Sequence, residues 1–233
     1  PPSRDYLLGT DSAGRQLLAV MVAGTPTTLQ IGLIAGALGM IFGTILGFTA
    51  GYFGGIVDSI IRSAADVALT VPALAVLVVI ASVISKTLSP EILALIIAAL
   101  AWMWPTRTIR SQVLTMRERA YIEVARLNGL NNFEIIFKEL MPNLLPYLAA
   151  SFVGAVSSAV LAAIGLEALG LGPQSEPTLG MTIYWARYYN GLPRGMWWWW
   201  APPVIIIIML FISLFMIAAG LDQIANPRSR RAA

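Results

Sequence analysis

Cysteine and histidine are absent from all 233 residues of this sequence. The first absence excludes disulfides and thiolate chemistry, and the two together remove the commonest transition-metal ligands. Charge is scarce as well: 12% of the chain is Asp, Glu, Lys or Arg and 58% is hydrophobic, where soluble domains average about 25% and about 45–50%. That composition argues against a water-soluble fold. No GxxxxGK[ST] run occurs, so the chain carries no P-loop for hydrolysing ATP. The opening "PPSRDYLLGTDSAGRQ" has neither a leading basic region nor an apolar core, so it is not a signal peptide and reads as a chain that begins in mid-protein. The net charge of +3 forms no soluble basic patch and gives no reason to expect nucleic acid as a partner.

What the chain has is long runs without charge. Residues 16–57, 67–85, 140–166 and 195–221 contain no Asp, Glu, Lys or Arg, and residues 92–106 form a shorter fifth run. A bilayer core takes about 20 apolar residues per helix. The runs lack the period-2 alternation of a barrel strand, so they predict an all-α polytopic membrane protein. Five transmembrane helices are expected near residues 26–51, 64–85, 91–108, 143–166 and 200–222.

Their orientation follows from the basic residues. With the polar island between the third and fourth helices in the cytoplasm, that side holds Arg62, Arg107, Arg110, Arg117, Arg119, Arg126, Lys138, Arg228, Arg230 and Arg231; the other holds Arg4, Arg15, Lys86, Arg187 and Arg194. The positive-inside rule selects this arrangement. Residues 1–25 then form an extracellular segment, 26–222 the membrane domain with an extracellular loop at 167–199, and 223–233 a cytoplasmic tail.

Gly32, Gly36, Gly39, Gly43, Gly47 and Gly51 recur every three or four residues and fall on one stripe of the first helix. Such a stripe allows close backbone approach, as a fixed helix contact or as a sliding surface. Pro72 predicts a kink in the second helix. Asp58, Asp66, Glu91, Glu167 and Asp222 sit near helix ends, where an interfacial position is expected, and the midplanes carry no ionisable group of the kind a secondary transporter needs. The run "MWWWWAPP" predicts an aromatic belt at Trp197 to Trp200, with contact to an outer partner or the path as the other reading. Arg187 and Arg194 lie in the outer loop, "YWARYYNGLPRG", and are candidates to line an outer vestibule and face a docked outer partner. Ser151, Ser157 and Ser158 either line a path or bond their own helix backbone.

The island itself is patterned. In "NNFEIIFKELMP", Phe133, Ile136, Phe137 and Leu140 stand at i, i+3, i+4 and i+7, one face of an α-helix. Asn131 and Glu134 have the form of a capping box, and Gly129 stands where a preceding helix through "RAYIEVARLN" needs a left-handed residue to stop. The result is helix, glycine turn, helix. Such a segment either docks into a soluble partner or lies on lipid headgroups.

The segment Glu123-Val124-Ala125, Gly129 and Pro142 resembles the EAA loop of ABC importer permeases, with Val124, Glu139 and Met141 departing from the usual residues. "LGTDSAGRQLL" resembles the GTDxxGRD signature of the dipeptide, oligopeptide and nickel permease family, with Gln16 for the final Asp. "AGYFGGIVDSIIRSAADVALTVPAL" and "GLEALGLGPQSEPTLGMTI" are similar to that family's second cytoplasmic turn and its LGLG stretch, and "LDQIANPR" to its closing DxLDPR. The likeness covers the whole chain in order and points to the C-type permease subunit of a dipeptide transporter.

That resemblance implies a type I importer fold with six helices and both ends in the cytoplasm. Five are present, and the family's first helix is missing from this sequence. It also implies a second permease subunit, two cytoplasmic ATPases carrying ATP and Mg, an extracellular solute-binding protein, and no catalysis or cofactor in this chain. The coupling loop falls at 109–142. Glu123 is expected as a polar contact to the ATPase, Gly129 as the tight turn, and Tyr121, Ala125, Phe133 and Ile136 as the docked surface, with Pro142 closing the motif. Peptides are the expected cargo; nickel complexes or oligosaccharides fit the same machinery. A channel or scaffold whose island lies on lipid is the alternative from another class.

Overall fold

In hydrocarbon a backbone must satisfy its own N–H and C=O groups, which leaves so apolar a chain the helix. The computed structural model describes residues 1–84 and 88–225. Lys86, the side chain of Asp222 and the tail from residue 226, with its three arginines and closing motif, lie outside the residues described. The helices are α1 (Leu17–Phe53), α2 (Gly55–Thr70), α3 (Ala73–Val83), α4 (Pro90–Ala101), α5 (Met103–Arg117), α6 (Ala120–Leu127), α7 (Asn132–Glu134), a π-helical segment (Ile135–Leu140), α8 (Met141–Ala168), α9 (Leu179–Tyr188) and α10 (Trp197–Ala225). Among the described residues three continuous helices are long and apolar enough to cross a membrane, and five spans result if two bent pairs each count as one. The chain is a multi-pass membrane protein.

Two boundaries depart from expectation. α1 begins at Leu17 rather than near residue 26 and, with 37 residues, extends about 55 Å at 1.5 Å per residue. Its early start is set by the loop before it, which closes on one carboxylate. Asp11 Oδ1 accepts from the amides of Ala13 (2.8 Å) and Arg15 (2.9 Å), and Oδ2 accepts from Arg15 Nε at 2.7 Å. The second expected helix, 64–85, is not one kinked rod. α2 and α3 meet at 80°, with Val71 extended (φ −87°, ψ 130°) as the residue before Pro72 prefers.

The residues sort into two compact units, and α1 passes from one to the other after Gly36. The first unit contains residues 1–36, 73–99 and 156–214. In it Gly32 and Gly36 of α1 meet α8; a Cβ at Gly36 would stand 2.8 Å from the backbone of Val156. Thr28 Oγ1, fully buried, accepts from the amide of Leu179 at 3.0 Å, tying α1 to the first turn of α9. Leu17, Ala186 and Trp199 form a small core.

The second unit contains residues 37–72, 100–155 and, among the described residues, 215–225. Here the same stripe continues against a different partner: Gly39 meets Ala101, Gly43 meets Pro105, Gly47 meets Ile109 and Gly51 meets Val113. The stripe is a set of close helix contacts, as small-residue spacing implies. α2 is joined to α5 by charge. Asp58 takes a two-pronged bond from Arg110, through Nε and through Nη2 at 2.6 Å, and Asp66 lies 3.9 Å from Arg62 and 3.7 Å from Arg107.

Candidate coupling site

The island is built from its turns outward. α6 stops in a Schellman motif: the amide of Leu130 donates to the carbonyl of Ala125 (3.2 Å), and that of Gly129 to Arg126 (3.0 Å). Gly129 holds φ +82°, a region where a Cβ would clash with its own backbone. α7 then starts on a complete capping box. Asn131 Oδ1 accepts from the Glu134 amide and Glu134 Oε2 from the Asn131 amide, both at 3.0 Å. Lys138 Nζ donates to the other Glu134 oxygen at 2.8 Å.

After Glu134 the helix widens. Residues 135–140 hydrogen-bond in the π pattern, i to i+5, which rotates side chains away from an α register. The face expected from the 3.6-residue period therefore splits. Ile136 and Leu140 turn inward with Ile135, whereas Phe133 and Phe137 are 69% and 59% exposed. Ala125 and Ile136, expected on the docked surface, are only 6% and 7% exposed. They root the island instead, in a core with Ile122, Ile135, Ile109 and Val113. What remains accessible is Tyr121, Glu123, Val124, Leu127, Phe133 and Phe137. Partial burial, and after it the charge of Glu139, raises the Tyr121 phenol above its ordinary pKa. Pro142, the second residue of α8, is exposed.

A second set of polar groups holds this root to α1. Tyr52 Oη donates to Asn132 Oδ1 at 3.0 Å, and the Arg126 guanidinium stands 6.0 Å from the Tyr52 ring centre. Arg117 Nη1 donates to the carbonyls of Gly51 (3.0 Å) and Tyr52 (3.3 Å), supplying donors and positive charge where a helix exposes unpaired carbonyls. From the sequence Asp58, Arg110 and Arg117 take only a side or an interfacial position, and Tyr52 none; the contacts they make here are not expected from it. The one available signal was position: Asp58 directly follows one charge-free run, and Arg110 stands four residues after the end of another.

The other expected site residues do not gather at the island. Ser157 and Ser158 belong to the first unit and Ser151 to the second; Ser151 and Ser157 are half-buried and Ser158 is exposed. Arg187 and Arg194 are exposed. The tryptophan run is not a uniform belt. Trp197 is exposed, Trp198 Nε1 donates to the Thr10 carbonyl at 3.3 Å, and Trp199 is 1% exposed. Glu167, expected at an interface, is fully enclosed beside Gly172, Thr178, Gly180 and Met181. Among the described residues no group of three or more carboxylates could hold a metal ion.

Membrane-crossing helices, two bent pairs and the helix–turn–helix that follows them define a polytopic helical membrane protein. Residues 43–231 match the family model described as "Binding-protein-dependent transport system inner membrane component", and the chain belongs to that family. It is a permease subunit of an ABC importer, the membrane component of such a system. A putative peptide transport system permease protein of Brucella suis is 30% identical over 231 residues, 98% of this chain and 75% of that one. The oligopeptide transport system permease protein OppC of Mycobacterium tuberculosis is 27% identical over 184 residues, 78% of this chain and 63% of its own length. The dipeptide transport system permease protein DppC of Alkalihalophilus pseudofirmus is 30% identical over 175 residues, 75% of this chain and 57% of its own. In fold the chain is similar to an inward-facing MetNI methionine ABC transporter, with a TM-score of 0.72, 18% identity, and coverage of 91% of this chain and 97% of that one.

Proposed function

We propose that this permease, paired with a second permease subunit in the inner membrane, forms the path for di- or oligopeptides delivered by a solute-binding protein, and that residues 120–142 receive the stroke of cytoplasmic ATPases. The observation that carries this reading is the two-sided island. Its inner face is locked into a helical core, while Glu123, Leu127, Phe133 and Phe137 are exposed. Apolar side chains in water are costly, and a helix face of this kind is what a groove in a soluble partner accepts. The excess of Arg and Lys on the island's side supports a cytoplasmic position. Peptide cargo is supported by the names of the relatives from Brucella, Mycobacterium and Alkalihalophilus.

The test is purification in mild detergent, followed by identification of every chain that accompanies the protein. Wild type is expected to bring a second permease and nucleotide-binding subunits. Glu123→Arg with Phe137→Asp is expected to lose the nucleotide-binding subunits while keeping its own melting temperature. A variant that retains them overturns the docking assignment, and a wild type that purifies alone favours an island lying on lipid.

A further inference from the structure

α1 ends inside the root of the island, and Tyr52 is where it is held. The side chain is buried, yet it reaches both arms of the helix–turn–helix: its hydroxyl donates to Asn132, the first residue of α7, and its ring faces Arg126 of α6. Its carbonyl accepts from Arg117 of α5. Immediately before it, Gly51 brings α1 so close to α5 that a Cβ would stand 2.8 Å from Val113 Cβ. The apolar core that Tyr52 shares with Phe48, Ile122 and Ile135 has no direction and resists sliding weakly. The hydroxyl bond to Asn132 has one donor, one acceptor and one geometry, so it fixes register.

The geometry points to Tyr52 as the positioning residue through which displacement of the island reaches α1. This rests on the island being the ATPase-coupling element, and it adds a residue that lies 71 positions before Glu123, outside the loop's own motif. Asn132 is exposed, so water replaces the lost bond in a Tyr52→Phe variant and the fold is left intact. Transmission and folding are therefore separable.

The experiment uses the importer assembled with its own ATPase subunits. This sequence contains no cysteine, so with the partner subunits also made cysteine-free one spin label is placed at Ile45→Cys on the exposed side of α1. The signal is read before and after trapping with ATP and vanadate. Wild type is expected to show a change in label mobility. Tyr52→Phe and Asn132→Ala should each reduce its amplitude by about two- to tenfold, the factor a single hydrogen bond contributes to an equilibrium. The double variant should do no worse than either single one, because both remove the same bond. In Tyr52→Phe, whose altered side chain is buried outside the docking segment, ATPase binding and basal hydrolysis should be unchanged. An unaltered amplitude in Tyr52→Phe overturns the inference, as does a wild type in which α1 shows no change while the ATPases are bound. If Phe137→Asp keeps its ATPases, the docking reading has failed and this inference falls with it.

Discussion

One glycine and one ion pair state in single atoms what holds the structure. Gly129 is left-handed with open space around it, so the cost of a side chain there is conformational alone. Gly129→Ala is expected to lower stability by about 1–2 kcal/mol, read as a fall in melting temperature in detergent. Asp58 and Arg110 are largely enclosed and bonded twice. Asp58→Ala leaves a guanidinium without its partner and should cost about 1.5–3 kcal/mol; replacing Arg110 with Leu in the same chain should restore most of it, and a double variant as unstable as the single one would show that the pair is not the cause. At this scale the sequence was partly legible. Gly129, Asn131 and Glu134 are read correctly because a capping box and a left-handed stop are local chemistry. Tyr52 and Glu167 are not, since what they touch lies far along the chain or in a second helix packed against them.

Elements were legible in proportion to their regularity. Charge-free runs located the apolar spans, and the glycine stripe named a packing face, although nothing in the spacing said that Gly32 and Gly36 face α8 while the later four face α4 and α5. The π segment defeated the 3.6-residue period. One added residue per turn exchanges inside for outside, and the preceding capping box gives no hint of it. The exchange makes neighbouring positions behave oppositely. Ile135→Asp buries a carboxylate among Ile122 and Leu140 and should cost about 3 kcal/mol or more. Phe137→Asp should stay within about 0.5 kcal/mol of wild type. Thermal unfolding of the two variants side by side decides between the π register and the α register, in which Phe137 and Leu140 share a face.

For the whole molecule, the largest unmet demand is apolar surface. Along α10, Ile205, Ile208, Met209, Ile212, Phe215 and Met216 are all exposed, and such a helix is stable only in hydrocarbon or against another membrane chain. Ile212→Lys, near the middle of α10, is expected to raise its insertion free energy by about 2.5–3.5 kcal/mol; a glycosylation-site reporter placed after the helix would show the drop in inserted fraction, and an unchanged fraction would mean that α10 does not enter lipid as a span. At its first turn the same helix carries Trp199, enclosed by Leu17 and Ala186 and stacked on Tyr189 with ring centres 6.2 Å apart. An indole so shielded from water emits at shorter wavelength than the exposed Trp197. With the other six tryptophans replaced by phenylalanine, the protein would carry its own optical probe of the segment next to Arg187, reporting without any added dye when something settles on that side.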